Sequence, residues 1–253
     1  MFLFLRILVL LFFLGACSPS TRITRTDSKV YPLGTQGFDK VDSTVLMSLL
    51  PYKNNLDSIM EVVIANSGQV MEKGQPEGLL GNFVADLALE QGKKKYDSAM
   101  DDKGIDFCFL NNGGLRSSLP AGQITRRKIF ELMPFENELI VLTLDGATTL
   151  RLLDFIANKG GMPVSGVRFN MKNKKAIDIF IGSKMFDSTA TYRVVTSDYL
   201  ANGGDNLSFL AEITRKQPLS LKLRDAIILH MEEKNRMNQT IRVSLDNRIA
   251  YAK

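Results

Sequence analysis

Histidine and cysteine are scarce in this sequence, which has one histidine and two cysteines among 253 residues. Metal centres that hydrolyse phosphate esters usually draw on several His and Asp ligands, often around two ions, and no HxH or DxH cluster is present. The GxSxG nucleophile elbow and the GxxxxGK[ST] phosphate loop are missing as well. These absences argue against a complete hydrolytic site of any of these kinds within the 253 residues.

The few candidate ligands have structural interpretations. His230 lies between Leu229 and Met231 in a predicted helix, so we interpret it as a packed or solvent-facing helix residue rather than a ligand or base. Cys108 lies in an apolar run that predicts a strand, and a buried structural thiol is the expectation. One internal cysteine cannot form a disulfide within the chain, so the fold must depend on its apolar core.

The charge pattern is mild. The formal net charge is +5 and the basic residues are scattered. One cluster, Lys93 to Lys95, is typical of a solvated helix end. Because basic and aromatic residues are not interleaved, no nucleic-acid partner is predicted.

The first residues predict a lipoprotein signal peptide. Residues 1–16 carry one charge, Arg6, followed by an apolar run that is too short to span a bilayer. The run ends in LGAC, which resembles a bacterial lipobox and implies cleavage before Cys17 and lipidation of its sulfur. An ordinary signal peptide followed by a chance cysteine is the alternative. Several acyl chains would anchor the protein stably.

Three segments are predicted: the signal peptide over residues 1–16, lipidated Cys17 with a polar tether over residues 17–42, and one domain over residues 43–253. A lipidated Cys17 that is not followed by Asp is typical of an outer-membrane destination. We expect a cell-envelope protein facing the periplasm, although this context is also compatible with the outer face.

The domain is predicted to be α+β because strands and helices do not alternate regularly. Apolar residues of the segment 77–91 recur at spacings of three and four, which predicts a helix that ends at Gly92. Residues 43–50 suggest a helix that stops at Pro51, and residues 55–67 are compatible with helix or strand. Further helices are predicted over 126–132, 148–158 and around 224–231. Strands are predicted over 105–110, 138–144, 166–170, 176–181, 191–196 and 240–243.

Two glycine-containing loops follow apolar runs and end in charged residues. Residues 111–116 read NNGGLR and residues 202–205 read NGGD. Glycine lets the backbone approach a ligand closely, Arg116 could bind phosphate, and Asp205 could accept hydrogen bonds from sugar hydroxyls. Two such loops at one pocket would suit a nucleotide.

These loops belong to an ordered series of motifs. The series comprises residues 77–82 with Asp86, 111–116, 122–125, 134–137, 145–146, 163–166 and 199–205. In this order the motifs resemble those of the C-terminal domain of the 5′-nucleotidase family. The resemblance covers about residues 64–243. It implies a domain that binds the nucleoside part of a nucleotide, while a separate N-terminal metallophosphoesterase domain holds two metal ions and cleaves the phosphate.

The resemblance also implies site residues. Phe135 and Tyr199 fall where two rings sandwich the base, and Tyr199 stands where the family usually has Phe. Asp205 falls where a carboxylate holds the ribose hydroxyls, and Asn111 and Arg116 fall where side chains meet the base edge and the sugar–phosphate. The glycines nominated with them are Gly113, Gly114, Gly203 and Gly204. Simpler interpretations stay open: core packing for the rings, tight turns for the glycines, a cap for Asp205 and an ion pair for Arg116.

The sequence departs from the family in two respects. Many members have an arginine just before the 77–82 motif, where this chain has Gly74, Gln75 and Pro76. No catalytic metal domain is recognisable either, so this chain is expected to hold no cofactor and to be inactive alone. Two divalent metals are expected on a partner metallophosphoesterase.

Three functions fit these patterns. The leading hypothesis is the substrate-binding half of a split 5′-nucleotidase for nucleotide catabolism, with a purine nucleotide or nucleoside as ligand. The others are a periplasmic nucleoside receptor and a scaffold lipoprotein with a relic pocket.

Overall fold

The computed structural model describes residues 25–29, 42–96 and 104–252. The predicted signal peptide, Cys17 and most of the predicted tether lie outside these residues. The chain divides into two compact units, Met1–Leu50 and Pro51–Lys253. The predicted boundary between residues 42 and 43 stays a prediction. In the part of the chain that is described, no helix is long and apolar enough to cross a membrane.

The described residues form seven α-helices and eleven strands. The helices are α1 Ser43–Met60, α2 Leu79–Lys95, α3 Arg126–Leu132, α4 Gly146–Asn158, α5 Asp198–Ala201, α6 Ser208–Ala211 and α7 Leu223–Arg236. The strands are β1 Val63–Ser67, β2 Phe107–Phe109, β3 Gly122–Thr125, β4 Glu138–Asp145, β5 Val164–Ser165, β6 Val167–Lys172, β7 Lys175–Ile181, β8 Lys184–Met185, β9 Thr191–Ser197, β10 Lys216–Lys222 and β11 Ile249–Tyr251.

The main sheet has five strands in the order β10-β4-β9-β2-β5. Strands β2 and β9 are parallel, and the other neighbours are antiparallel. A four-stranded sheet, β11-β6-β7-β8, and a two-stranded sheet, β1-β3, complete the fold. This mixture of pairings confirms the α+β prediction.

Two apolar cores lie on opposite faces of the main sheet. Side chains alternate along its strands, so Cys108 enters one core while its neighbours Phe107 and Phe109 enter the other. Helices α2, α3 and α7 contribute to the first core, and α4 and the four-stranded sheet contribute to the second. The expectation that Cys108 is a buried thiol is confirmed.

Two helix ends differ from the predictions. Helix α1 continues through Pro51 to Met60. Proline removes one hydrogen bond from a helix, but its φ is helical, and α1 has no buried residue, so solvent can reach the freed carbonyl. Helix α2 continues past Gly92 to Lys95, because Gly92 serves close packing instead: a Cβ there would lie 3.3 Å from both Ile105 and Val195.

Strand β4 ends at Asp145, and α4 begins at the next residue, Gly146. Asp145 is the N-cap, and its carboxylate accepts a hydrogen bond from the Thr148 N–H at 2.7 Å. Thr125 is the N-cap residue of α3 but makes no side-chain capping bond.

The prediction of a final strand over residues 240–243 was wrong. Ile241 makes one isolated parallel bridge to Ser67, and the carbonyl of Val243 accepts a hydrogen bond from the Gln69 side chain. This side-chain bond takes the place of a ladder partner, so pairing stops after one residue. Strand β10 was not predicted, and Pro218 inside it is tolerated because β10 lies at the sheet edge.

Candidate functional site

The first glycine loop leaves the end of β2 and turns immediately. Residues Asn112–Gly114 form a single 3-10 turn. Gly114 is buried, and a Cβ there would lie 2.9 Å from Oδ1 of Asn111, so a larger residue would push that side chain away. The loop is anchored where the N–H of Arg116 donates to the carbonyl of Leu132 at 2.8 Å. This hydrogen bond fixes the loop that carries the half-buried Asn111 and the exposed Arg116.

The second loop follows β9 and the short helix α5. Its turn places three residues of the motif and its flank in left-handed conformations: Gly203 at φ 95°, Asp205 at φ 54° and Asn206 at φ 71°. Such a conformation costs roughly 1–2 kcal/mol for most non-glycine residues, although Asp and Asn tolerate it best. Concentrated strain of this kind is typical of functional turns.

The two loops are joined through the carboxylate of Asp205. Asn111 Nδ2 donates a hydrogen bond to Asp205 Oδ2 at 2.6 Å, and the Tyr199 hydroxyl donates to Asp205 Oδ1 at 2.9 Å. Asn111 lies 94 positions from Asp205 in the sequence. Both carboxylate oxygens are therefore oriented before any ligand arrives, and each keeps lone pairs that can accept further donors.

Tyr199 packs closely against the turn that carries Asp205. A Cβ on Gly204 would lie 2.5 Å from two atoms of the Tyr199 ring, so only glycine allows this approach. Tyr199 as a residue is nevertheless 46% exposed, which leaves part of its surface available to a ligand. Gly204 thus allows close packing of the Tyr199 ring, and the expectation that these glycines admit a ligand stays a prediction.

Phe135 and Arg116 lie on the other side of the opening. Phe135 is 38% exposed, and the guanidinium carbon of Arg116 is 6.0 Å from its ring centroid. Nη1 of Arg116 also lies 3.4 Å from the carbonyl oxygen of Gly113. Within the described ranges no carboxylate forms an ion pair with Arg116, so its charge is available to an anion.

The position of Phe135 is determined by the start of α7. Nη1 of Arg224 donates to the carbonyl of Phe135 at 3.4 Å, and both Arg224 and Lys222 form ion pairs with Glu136. The N–H of Leu223 donates to the Asn137 carbonyl at 2.9 Å. Hydrogen bonds from Lys222 and Arg224 lower the pKa of Glu136 from 4.5 to about 2.

Sequence reasoning missed Arg224 and Lys222 as supports of this loop. They lie almost ninety positions from residues 135 and 136, and nothing in a helical segment indicates which distant loop it will meet. Arg224 is only 8% exposed, and the burial of an arginine, which indicates a structural role, is visible only once the chain has folded.

A cavity of about 320 Å³ unites these groups. Seven of the nine nominated residues line it: Asn111, Gly113, Gly114, Arg116, Phe135, Tyr199 and Asp205. Asn137, which was not nominated, lines it as well. Gly203 and Gly204 shape the turn beneath Tyr199 and Asp205 instead. Exposed rings, amides, a carboxylate and an unpaired guanidinium suit a heterocycle that carries hydroxyl groups.

A group of possible metal ligands lies elsewhere. Among the described residues, one set of His, Cys, Asp or Glu side chains, formed by Glu90, His230 and Glu233, comes within ligand distance. The ammonium of Lys94 lies 2.9 Å from Glu90 and 2.7 Å from Glu233, so it offsets part of their negative charge. His230 packs edge-on against Phe83, and burial lowers its pKa. Of the two positions expected for His230, packed or solvent-facing, the structure shows the packed one.

Comparison with solved structures supports the fold. The chain resembles the 5′-nucleotidase precursor of Thermus thermophilus with a TM-score of 0.66 and 24% identity, over 84% of this chain and 44% of that one. It resembles the NAD nucleotidase of Haemophilus influenzae with a TM-score of 0.63 and 17% identity, over 85% of this chain and 42% of that one.

Curated relatives extend the comparison to sequence. The 5′-nucleotidase of Vibrio vulnificus is 29% identical over 174 residues, and protein UshA of Yersinia enterocolitica is 31% identical over 172 residues. These alignments cover 66% and 65% of this chain but 30% of each relative, so the chain spans about a third of their length. The family model described as 5′-nucleotidase, C-terminal domain, matches residues 58–212. The chain therefore belongs to the 5′-nucleotidase family, of which it contains the C-terminal domain.

Proposed function

We propose that this domain binds the nucleoside part of a nucleotide for a 5′-nucleotidase-type phosphohydrolase. The observation that carries the proposal is the convergence of Phe135, Tyr199, Arg116, Asn111 and Asp205 on one cavity from separate parts of the chain. In this proposal the base stacks on Phe135 and Tyr199, and a purine offers the larger surface. Stacking contributes roughly 1–3 kcal/mol per base in nucleic-acid complexes.

The sugar is assigned to Asp205. Its carboxylate is half-buried, is oriented by Asn111 and Tyr199, and has remaining lone pairs for the ribose hydroxyls. Arg116, which has no carboxylate partner among the described residues, is assigned to the sugar–phosphate edge. Such contacts distinguish a nucleoside from a free base.

Hydrolysis in this proposal takes place on two divalent metal ions held by a separate metallophosphoesterase chain. The cavity described here supplies rings, amides, one carboxylate and one guanidinium, and in this proposal they bind and orient the substrate. Binding energy from the unreactive nucleoside can then position the phosphate over the metals. Activity is expected only from the two chains together.

Calorimetric titration of the full chain with adenosine tests the binding half of the proposal. We expect saturable one-to-one binding that weakens at least about tenfold in Tyr199→Ala and in Phe135→Ala. Tyr251→Ala is the matched control, because Tyr251 is also an exposed tyrosine but lies in β11. Absence of adenosine binding to the wild type at millimolar ligand would contradict the proposal and favour a relic pocket.

An activity assay tests whether hydrolysis requires the separate metallophosphoesterase chain. Release of phosphate from AMP should require both this chain and the metallophosphoesterase, and Tyr199→Ala should reduce it without altering metal binding by the partner. Phosphate release by this chain alone with added divalent metal would refute the need for a partner. Tight adenosine binding with no effect on any such enzyme would instead indicate a nucleoside receptor.

We further propose that lipid on Cys17 anchors the protein in the cell envelope, in the outer membrane facing the periplasm. The support is the LGAC sequence and the apolar run before it. Mass spectrometry of the mature N-terminus should find a diacylglyceryl group on Cys17, and Cys17→Ser should release the protein from the membrane fraction. An unmodified mature N-terminus would contradict the anchor.

A further inference from the structure

Helices α2 and α7 bring three metal-ligating side chains together outside the nucleoside cavity. Glu90 lies in α2, and His230 and Glu233 lie one turn apart in α7. One ligand atom of each side chain lies within 4.8 Å of the others. None of the three residues lines the nucleoside cavity, and none has a role in the proposed function. The group is therefore a separate candidate site.

The imidazole of His230 has a buried nitrogen without a hydrogen bond. The residue is 7% exposed, and its Nδ1 has no hydrogen-bond partner within the described residues. Oε2 of Glu90 lies 3.3 Å from Nδ1, a contact that is an ion pair only when the imidazole is charged. Burial lowers the pKa of His230 and so favours the neutral ring. Because buried polar atoms normally have partners, this nitrogen points to a ligand.

The separation of these two atoms fits a shared cation. Zinc binds imidazole nitrogen and carboxylate oxygen at about 2.0–2.2 Å, so two ligand atoms of a tetrahedral zinc site lie roughly 3.3–3.5 Å apart. Nδ1 of His230 and Oε2 of Glu90 are 3.3 Å apart. A cation bound by both atoms would give Nδ1 the partner that the protein does not supply.

The two carboxylates keep negative charge beside a lysine. The ammonium of Lys94 lies 2.9 Å from Oε1 of Glu90 and 2.7 Å from Oε2 of Glu233, and Nε2 of Gln91 donates to the same Glu233 oxygen at 3.1 Å. Among the described residues, no hydrogen bond reaches the second oxygen of either carboxylate, and Lys234 forms no ion pair with them. One ammonium between two carboxylates leaves a negative charge that a divalent cation would offset.

A cavity of about 700 Å³ gives access to the group. Glu90 and His230 line it together with Phe83, whose ring packs edge-on against the imidazole with 5.8 Å between ring centroids. This packing holds the imidazole in place before an ion arrives. Three protein ligands leave a fourth position for water in a tetrahedral zinc site, and the cavity provides space for that water.

We propose that Glu90, His230 and Glu233 bind a divalent transition-metal ion of the zinc class, which ties α2 to α7. An imidazole beside two carboxylates favours zinc over magnesium, which prefers oxygen ligands alone. His230 was not expected to be a ligand, because its neighbours in the sequence do not show that Glu90 reaches its ring from another helix. Bound zinc displaces the Lys94 ammonium from the carboxylates.

The single histidine of the chain allows a direct test. His230 is the one histidine in the sequence, so tag-free full chain gives one set of imidazole ring signals in an NMR spectrum. One equivalent of Zn²⁺ should shift these signals, whereas an excess of Mg²⁺ should leave them unchanged. Imidazole signals that stay in place with excess zinc would overturn the site.

Loss of each carboxylate tests whether the site needs both helices. In calorimetric titrations with zinc chloride, Glu90→Gln and Glu233→Gln should each bind at least about tenfold more weakly than the wild type. Glu232→Gln is the matched control, because Glu232 is adjacent in α7 but pairs with Arg126. Equal zinc affinity in all three variants and the wild type would indicate adventitious binding to the imidazole and refute the site.

Lys94→Met distinguishes a metal site from a network of ion pairs. The substitution removes the competing ammonium, so zinc should bind at least about fivefold more tightly than to the wild type. Lys93→Met is the control, since the exposed Lys93 forms no ion pair among the described residues. A Lys94→Met protein that gains no zinc affinity would contradict the proposal.

Discussion

Arg224 supports Phe135 through the backbone: its Nη1 lies 3.4 Å from the Phe135 carbonyl oxygen, while its guanidinium carbon lies 4.4 Å from the Phe130 ring centroid. A buried cation in α7 thus positions an exposed ring on a loop 89 positions earlier in the sequence. This contact makes the position of Phe135 in the cavity depend on a residue that does not line it.

Arg224→Met tests that dependence. Methionine keeps much of the packing against Phe130 but removes the donors to Phe135 and Glu136, so the loop should lose its fixed position. We expect adenosine affinity to fall roughly tenfold and the free energy of unfolding to fall by about 1–3 kcal/mol. Arg127→Met is the control, since Arg127 pairs with Asp57 and Glu61 away from the cavity. A folded Arg224→Met protein with wild-type affinity would refute the positioning role.

The ion pairs of Glu136 predict a pH dependence of stability. The folded-state pKa of Glu136 is lowered to about 2 from 4.5, so its contribution is fully present above about pH 4.5 and is lost as the pH falls towards 2. Urea unfolding of the wild type and Glu136→Gln should therefore differ most at neutral pH and converge in that acid window. A difference that stays constant from pH 7 to pH 2 would show that the ion pairs do not stabilise the fold.

Gly204→Ala should disturb Tyr199 directly. The new methyl group would overlap the ring, which must move and thereby weaken the hydrogen bond from its hydroxyl to Asp205. We expect adenosine affinity to fall by about tenfold or more with a modest loss of stability. Gly104→Ala serves as the control, because no atom lies within 4 Å of a Cβ at that position. Equal affinities for the two variants would argue against the contact.

Cys108 should be inert in the folded protein. Complete burial raises the pKa of its thiol, which suppresses the thiolate that reacts with disulfide reagents. A Cys17→Ser protein should show no reactive thiol under native conditions and one after denaturation. Rapid labelling of the native protein would mean that the strand around Cys108 opens readily.

Much of the fold was predictable where local patterns are strong. The range of α3, residues 126–132, and the strands β4, β7 and β9 follow from periodicity and β-branched residues, and the structure matches them closely. The errors occurred where a distant contact overrides a local rule. Pro51 is tolerated because its helix, α1, is exposed, and Gly92 lies inside α2 because it packs closely there. Residues 240–243 form no strand, because the Val243 carbonyl accepts a hydrogen bond from the Gln69 side chain instead of from a strand partner.

The candidate site shows the same division. Phe135, Tyr199, Asp205 and the Asn111 loop were nominated because their motifs occur in a recognisable order, which depends on residue types alone. The partners of these residues were not predictable. The Asn111–Asp205 bond, the Arg224 support and the hydrogen bond from Gln75 to the Lys159 carbonyl each join segments that are about 80 to 95 positions apart.

The sequence by itself determined the family, the α+β class and seven of the eight residues that line the cavity, because glycine loops, strand periodicity and motif order depend on residue types. Tertiary structure alone decided which charges are paired. Glu136 is neutralised by Lys222 and Arg224, whereas Arg116 and Lys159 have no carboxylate partner in the described part of the chain. Electrostatic interactions act through space, so the availability of a charge for a ligand depends on distances that arise only when the chain folds.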